Sequence, residues 1–196
     1  MAAMGGHRAV VEQLIAAGAD PNLADNQGQT PLYEAAMRGQ REVVEALLKA
    51  KAEHLDLADN QGQTPLFSAV YEDNAEMVKQ LIAAGANVKA VDQYERTPLF
   101  MAAMGGHRAV VEQLIAAGAD PNLADNQGQT PLYEAVIKGE GEVVEALLEA
   151  GADLDLADNQ GQTPLYIAVS AGDTEMVKQL IAAGANVKAV DQYERT

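Results

Sequence analysis

The sequence contains no cysteine, and this absence excludes several kinds of chemistry at once. A chain without thiols forms no disulfide, has no cysteine nucleophile and binds no metal through thiolates, whatever the redox compartment. Tryptophan is also absent, and no apolar run approaches the roughly 18 residues of a membrane-spanning helix. The first residues lack the charged and then apolar layout of a signal peptide. We therefore expect no membrane partner; the compartment stays unassigned, with an intracellular location favoured.

Positive charge is scarce as well. The chain has 13 Lys plus Arg against 29 Asp plus Glu among its 196 residues, which gives a net charge of −16. Such a surface repels the phosphate backbone of a nucleic acid, so we expect no nucleic-acid partner. Hydrophobic residues nevertheless make up 48% of the chain, which is enough for a packed core and argues against disorder.

What the sequence has in abundance is repetition. The triplet Thr-Pro-Leu occurs five times, 33 or 34 residues apart, and it begins at Thr30, Thr64, Thr97, Thr130 and Thr163. A longer period lies over the short one, because residues 1–29 are identical to residues 101–129. The chain therefore uses three types of repeat twice, and a fixed period of this length indicates a stacked-repeat architecture.

The repeat at residues 130–162 shows how one unit is expected to fold. Thr130 and Pro131 suit the N-cap and the first position of a helix, and Gly139 suits its end in the left-handed conformation. A second helix follows and ends at Gly151, with apolar residues on one face and glutamates on the other. Both helices are too short to be stable alone, so neighbouring repeats have to stack to bury their apolar faces.

Applied to the complete repeats, this pattern predicts two helices and a hairpin turn in each. The expected helices lie near residues 31–38, 41–50, 65–72, 75–84, 98–105, 108–117, 131–138, 141–150, 164–171 and 174–183. Substitutions change three turns: Asp73 and Glu95 replace glycines, and Lys51 replaces the glycine that closes a second helix. Because His54 is an insertion beside Lys51, we expect an irregular hairpin at residues 50–56.

Several of these signals together resemble the ankyrin repeat family over essentially all 196 residues. They are the period, Thr-Pro-Leu before an Ala-rich helix, glycine between the helices, Val-Val-x-x-Leu-Leu or Leu-Ile in the second helix, and Gly-Ala-Asp or Gly-Ala-Asn after it. The resemblance implies an all-α fold with short β-hairpin turns, arranged as a helix-turn-helix solenoid. We expect a single domain over residues 1–196, with units at 1–29 (partial), 30–63, 64–96, 97–129, 130–162 and 163–195. The family's usual histidine after Thr-Pro-Leu is replaced by an aromatic ring, which predicts extra ring burial at Tyr33, Phe67, Phe100, Tyr133 and Tyr166.

Catalytic constellations are missing from the pattern. His7 and His107 lie about three repeats apart, His54 falls in a loop, and no Ser-His-Asp set, phosphate-binding loop or dinucleotide fingerprint occurs. We therefore expect no enzyme activity, no cofactor and no catalytic residue.

The acidic run at Asp153, Asp155 and Asp158, followed by Gly161, is a candidate calcium-binding loop. Its spacing fails, because aligning Gly161 with the loop glycine leaves Leu156 at the first ligand position. We expect solvated turn carboxylates and no metal site.

The resemblance also implies where a partner binds. In ankyrin arrays the hairpin tips and the exposed face of the first helices line a concave groove, which predicts a non-catalytic scaffold that binds a protein partner there. The corresponding positions are Asn26, Gln27, Gln29, Met37, Arg38, Asn60, Gln61, Gln63, Tyr71, Glu72, Gln93, Tyr94, Arg96, Met104, Asn126, Gln127, Gln129, Ile137, Lys138, Asn159, Gln160 and Gln162. An equally weighted interpretation of the Asn-Gln-Gly-Gln tips is that they are only soluble turns.

An alternative function is structural. Stable arrays carry terminal repeats with polar outer faces, and the first and last repeats of this chain resemble internal ones. We therefore expect exposed apolar side chains at both ends and end-to-end self-association, in which the chain stacks head to tail into a longer solenoid or filament. The side chains expected in these end surfaces are Val10, Val11, Leu14, Ile15, Val177, Leu180 and Ile181.

Overall fold

A computed structural model describes residues 5–50 and 54–188 of the chain. All regular structure in these residues is helical: eleven α-helices are present and no strand is assigned. The helices are α1 (Arg8–Ala16), α2 (Pro31–Met37), α3 (Arg41–Lys49), α4 (Pro65–Tyr71), α5 (Ala75–Ala83), α6 (Pro98–Met104), α7 (Arg108–Ala116), α8 (Pro131–Lys138), α9 (Gly141–Glu149), α10 (Pro164–Ala171) and α11 (Thr174–Ala183). The ten expected helices are confirmed, with ends that agree within one residue.

Threonine caps explain why the first helix of each repeat begins where it does. The Oγ1 atoms of Thr30, Thr97 and Thr130 each accept a hydrogen bond at 3.1 Å from the backbone N–H three residues later, and Thr163 does the same at 3.2 Å. Pro follows each cap at the first helical position, where its missing N–H costs nothing. Thr64 begins α4 without this bond, and its buried Oγ1 has no partner among the described residues.

The helices are grouped in two compact units, residues 1–93 and 94–196. In the first unit α2 packs against α3 and α4, α4 packs against α5, and α1 packs against α3. In the second unit α6 packs against α7 and α8, α8 against α9 and α10, α7 against α9, and α10 against α11. Each unit is therefore a stack of helix pairs, as expected of an all-α solenoid. The expectation of a single domain over residues 1–196 remains a prediction.

Left-handed residues terminate the helices and shape the loops. Gly139 ends α8 with φ of 72°, as predicted. The two substituted turns keep the same geometry, since Asp73 has φ of 50° and Glu95 has φ of 63°. Of the expected irregular hairpin at residues 50–56, Lys51 lies outside the described residues. His54 is exposed, and its carbonyl accepts a hydrogen bond from the Leu57 N–H at 3.2 Å.

The apolar side chains expected in the two end surfaces differ in their exposure to solvent. Val10, Leu14 and Ile181 are about half exposed, and Ile15 and Val177 are of intermediate exposure. The prediction for Val11 and Leu180 is wrong, because both side chains are buried. They lie on helices packed inside their own units, α1 against α3 and α11 against α10.

Candidate functional site

Four of the hairpin tips are held closed by an aspartate. The Oδ1 atom of Asp158 accepts the N–H of Gln160 at 2.9 Å and the N–H of Gln162 at 2.8 Å, while its own N–H donates to the Gln162 carbonyl. The same pair of side-chain bonds, at 2.8 to 3.0 Å, occurs at Asp25, Asp59 and Asp125. These are Asx turns, in which a carboxylate satisfies loop amides that would otherwise need water.

The acidic run consists of turn carboxylates, and Asp153 and Asp155 are exposed to solvent, as predicted. Asp153 accepts the N–H of Asp155 at 2.9 Å, and Asp155 accepts the N–H of Asn186 at 2.9 Å. No group of three His, Asp or Glu side chains among the described residues could hold a metal ion.

In the first unit, backbone hydrogen bonds join successive tips into a ladder. The N–H of Asn60 donates to the Gln27 carbonyl at 2.9 Å, and its Nδ2 donates to the Asn26 carbonyl at 3.1 Å. One repeat further, the N–H of Gln93 donates to the Gln61 carbonyl at 2.8 Å. The structure thus brings these five predicted site residues together along one line.

The second unit contains an equivalent ladder. The N–H of Asn126 donates to the Tyr94 carbonyl at 3.0 Å, and the N–H of Asn159 donates to the Gln127 carbonyl at 2.9 Å. The Nδ2 of Asn159 donates to the Asn126 carbonyl at 3.1 Å. The Asn60 and Asn159 side chains therefore hold neighbouring tips together, which sequence reasoning did not foresee.

The tip glycines are required by the closeness of the next loop. A Cβ on Gly128 would lie 2.7 Å from the Asn159 Oδ1 and 2.8 Å from its backbone nitrogen, and Gly28 meets Asn60 in the same way at 2.8 and 2.9 Å. Both glycines also have positive φ. Any side chain here would push the ladder apart.

Buried tyrosines connect the first helix of a repeat to the hairpin tip at the end of the same repeat. The Tyr133 hydroxyl donates to the Asp158 Oδ2 at 2.8 Å, and the Tyr33 hydroxyl donates to the Gln63 Oε1 at 3.5 Å. Burial, followed by the nearby Asp59 carboxylate, raises the pKa of Tyr33 to about 12. Burial and the Asp158 hydrogen bond raise the pKa of Tyr133 as well. Tyrosine thus makes a link that phenylalanine cannot make, and the fully apolar Phe67 and Phe100 are simply buried.

The C-terminal ends of the first helices present apolar side chains. Tyr71 is 69% exposed in the first unit, and Ile137 is 43% exposed in the second. Met37 and Met104, at the same position of their repeats, are of intermediate exposure. Within each unit, the packing of the helices leaves these apolar positions in contact with solvent.

Charged side chains flank these apolar positions. The Arg38 Nε lies 3.0 Å from the nearly buried Glu34 carboxylate, and the Lys138 Nζ lies 3.6 Å from Glu134. Glu72 in the first unit is exposed. The pairing fixes the two basic groups beside the apolar positions while leaving each of them partly in solvent.

The remaining predicted site residues differ in exposure. The Arg96 guanidinium stacks 4.6 Å from the centre of the exposed Tyr94 ring. The glutamines in the middle of the tips are exposed, and those at the end of the tips are of intermediate exposure. The exposed set is Gln27, Gln61, Gln127 and Gln160; the intermediate set is Gln29, Gln63, Gln129 and Gln162.

Ion pairs cover the outer face of the second helices. The Arg108 Nε lies 2.8 Å from the Glu112 carboxylate and its Nη1 lies 3.4 Å from Glu145. The hydrogen bond to Glu112 is the main cause of the raised pKa of Arg108, and Arg8 and Glu12 repeat this arrangement. Exposed pairs of this kind contribute little to stability, so this face suits control substitutions.

Comparisons with known proteins agree with the fold. The family model described as "Ankyrin repeats (3 copies)" matches residues 1–92, 72–158 and 99–191, while the curated proteins include no significant match. Across the described residues, every helix is too short or too polar to cross a membrane. Ankyrin repeats generally mediate protein–protein interaction, and proteins of this type are typically non-catalytic scaffolds. The chain belongs to the ankyrin repeat family.

Proposed function

We propose that the chain is a scaffold that recognises a protein partner through its hairpin tips and the exposed ends of its first helices. The observation that supports it best is the Tyr71 side chain, which is 69% exposed although the rest of α4 is buried. Tyrosine and arginine supply much of the binding energy at protein interfaces, and the partly exposed Arg38 lines one surface pocket with Glu72, the residue that follows Tyr71.

The tips contribute specificity in this proposal. Their aspartates and asparagines are engaged within the ladder, so the tip backbone is held in one conformation before a partner arrives. A surface that is already ordered loses less conformational entropy on binding. The exposed glutamines of each tip then offer amide groups to the partner. In contrast, the interpretation of the tips as soluble turns assigns these glutamines no contact.

The experiment compares two surfaces of the same chain. Immobilised wild-type protein and two double variants are used to isolate partners that bind reproducibly from cell extracts. The test variant is Tyr71→Ser with Ile137→Ser, and the control variant is Glu76→Ser with Glu142→Ser on the second helices. A partner retained by the control but lost by the test variant supports the proposal. A partner lost only by the control variant places recognition on the other face and contradicts it.

A second candidate function, head-to-tail stacking, is favoured by the exposure of Val10, Leu14 and Ile181. Burial of about 300 Å² of apolar surface at each side of a contact, at roughly 25 cal/mol per Å², gives about 15 kcal/mol before the costs of association. The net charge of −16 opposes the contact, so added salt should promote stacking by screening the repulsion.

Sedimentation of the 196-residue chain across protein and salt concentration tests this second candidate. The variant Ile181→Lys changes an exposed side chain, whereas Leu180 is buried and its replacement would disturb α11 itself. Growth of the wild type with concentration, reduced in Ile181→Lys, supports stacking. If the wild type stays monomeric in every condition, stacking is excluded.

A further inference from the structure

One helix in each unit carries a carboxylate that is almost buried. Glu34 in α2 and Glu134 in α8 are 8% and 7% exposed. Both follow the capping threonine by four residues, so they occupy the same position of their repeats. A buried carboxylate needs hydrogen bonds that replace those it made to water. The two units meet this requirement to different degrees.

In the first unit an arginine of the same helix meets it. The Arg38 Nε donates a hydrogen bond to the Glu34 Oε2 at 3.0 Å. A guanidinium matches the geometry of a carboxylate, and a hydrogen bond between two charged groups is stronger than one between neutral groups. Glu34 is therefore a satisfied internal group.

In the second unit a lysine takes the place of this arginine, and the pair is looser. The Lys138 Nζ lies 3.6 Å from the Glu134 Oε1, which is beyond hydrogen-bond distance. Among the residues that the structure describes, none donates a hydrogen bond to the Glu134 carboxylate. The Lys138 side chain is also 45% exposed, so the pair contributes little to stability.

The helices on either side of α8 do not supply the missing donor. Both α6 and α10 pack against α8, and the position equivalent to Glu134 holds Met101 in α6 and Ile167 in α10. Neither side chain can donate a hydrogen bond to a carboxylate. Glu134 is thus a hydrogen-bond acceptor between two repeats that are apolar at this position.

The next turn of α8 brings the same face of the helix to solvent. Ile137 follows Glu134 by three residues and is 43% exposed, and residues three apart are neighbours on a helix surface. A partner that covers Ile137 therefore also takes the Glu134 carboxylate away from the remaining water. Covering an incompletely paired carboxylate is costly unless the partner donates a hydrogen bond to it.

We propose that Glu134 and Ile137 form a subsite for an arginine beside an apolar residue of a partner protein, a proposal that rests on the scaffold function given above. The partner's guanidinium makes to Glu134 the bond that Arg38 makes to Glu34, and its apolar residue packs on Ile137. Lys138 turns into solvent at little cost, because its pair with Glu134 is loose and half exposed. The net charge of −16 favours the approach of a basic segment.

Selection from a library of short random peptides displayed on phage tests the chemistry of the subsite. The library is selected against the immobilised 196-residue protein, and the clones are then screened on the variants Glu134→Gln and Lys138→Arg and on the matched control Glu34→Gln. The first variant removes the charge at constant shape, and the second gives Glu134 an arginine within its own helix. We expect clones that bind the wild type and the control, lose both test variants, and share an arginine beside an apolar residue.

One such peptide, synthesised with a fluorescent label, measures the size of the effect. Fluorescence anisotropy should show binding at least about tenfold weaker to Glu134→Gln and to Lys138→Arg than to the wild type, because each variant removes the charged hydrogen bond across the interface. Glu34→Gln should leave the affinity unchanged. Citrulline in place of the peptide arginine keeps the shape without the charge, so it should weaken binding to the wild type and change little in Glu134→Gln. Circular dichroism checks that the variants remain folded.

The outcomes separate the subsite from the scaffold function. The subsite is excluded if no selected clone depends on Glu134, if the dependent clones share no arginine, or if Lys138→Arg binds as tightly as the wild type. Peptides that are lost by Tyr71→Ser with Ile137→Ser but kept by Glu134→Gln overturn the subsite and leave the scaffold function intact. Peptides that are lost only by the double variant of the second helices contradict both proposals.

Discussion

Residues 5–29 and 105–129 have one sequence and two environments. Both segments form a helix with the same bounds within the repeat, Arg8–Ala16 and Arg108–Ala116, and both begin at a histidine N-cap. The glycines around them have nearly the same positive φ values. Yet Val110 and Leu114 belong to the core, while Val10 and Leu14 are half in water. Local sequence therefore determines where the helix begins and ends, and its neighbours determine what it contributes to stability.

The largest expected effect is a difference in stability between variants of Leu114 and Leu14, which occupy equivalent positions in the two units. Leu114→Ala should destabilise the protein by about 3 kcal/mol, because it leaves a cavity in a closed core. Leu14→Ala should cost less than about 1 kcal/mol, because its side chain is already half exposed. Urea unfolding followed by circular dichroism measures both. Equal costs would show that α1 is buried in solution as fully as α7.

Unlike the two leucines, the tip glycines Gly28 and Gly128 should have the same effect on stability in both units. Gly28→Ala and Gly128→Ala should each cost about 2 kcal/mol, because both meet the following loop at under 3 Å and both have positive φ. Gly18→Ala is the matched control, since its φ is positive but nothing lies within 4 Å of its Cβ position. Thermal unfolding should rank Gly18→Ala as the mildest of the three. If Gly18→Ala destabilises the protein as much as the other two variants, the closeness of the following loop does not explain their cost.

The buried tyrosines should differ modestly between the two halves. Tyr133→Phe removes a 2.8 Å hydrogen bond to a carboxylate and should cost about 1.5 kcal/mol, whereas Tyr33→Phe removes a 3.5 Å bond and should cost a few tenths. Denaturant unfolding of both single variants measures the difference. If Tyr33→Phe lowers the free energy of unfolding more than Tyr133→Phe, the hydrogen bond from Tyr133 to Asp158 makes no net contribution to stability.

Alkaline titration tests the environment of Tyr33 through the pKa of its hydroxyl. The pKa of Tyr33 is about 12 in the folded state against 10.0 in an unperturbed tyrosine, so the folded chain holds this proton more tightly. The corresponding stability is complete below about pH 10 and is lost as the pH rises towards 12. The free energy of unfolding should fall over this window, with a shallower fall in Tyr33→Phe. Tyrosinate absorbance that rises fully near pH 10 in the folded protein would contradict this assignment.

The smallest effect concerns the joint at residues 50–56, whose counterpart in the second unit closes at Gly151 with φ of 84°. Replacing Lys51 with glycine and deleting His54 makes the first joint equal in length to the second. We expect stabilisation by several tenths to about 1 kcal/mol, because glycine carries no penalty in the left-handed conformation. Thermal unfolding of the edited chain measures this change. A lower melting temperature would mean that the insertion makes a favourable contact.

The helices could be predicted from the sequence because their signals are local. Thr-Pro at one end and glycine at the other specify the bounds without knowledge of the neighbours, and even Asp73 and Glu95 take the conformation of the glycines that they replace. The roles of Asp158 and Asn159 could not be predicted, because they depend on which loop lies next to which. An aspartate two residues before a glutamine is the sequence signal of the Asx turn, but it is equally compatible with a plain soluble turn and with a partner-binding tip. The burial of Leu180 was missed for the same reason, since only packing against α10 reveals it.

The tip ladder also has a consequence for the speed of folding. The side-chain hydrogen bonds between repeats join residues only 29 to 39 positions apart, and each tip is bonded to the next one along the chain. The chain thus has little loop-closure entropy to overcome before such contacts form, so the topology favours rapid folding. A folded repeat offers its neighbour a ready template, and structure can spread in either direction from whichever repeat orders first. Within each unit, the order of folding is therefore set by the relative stability of the repeats and not by their place in the sequence.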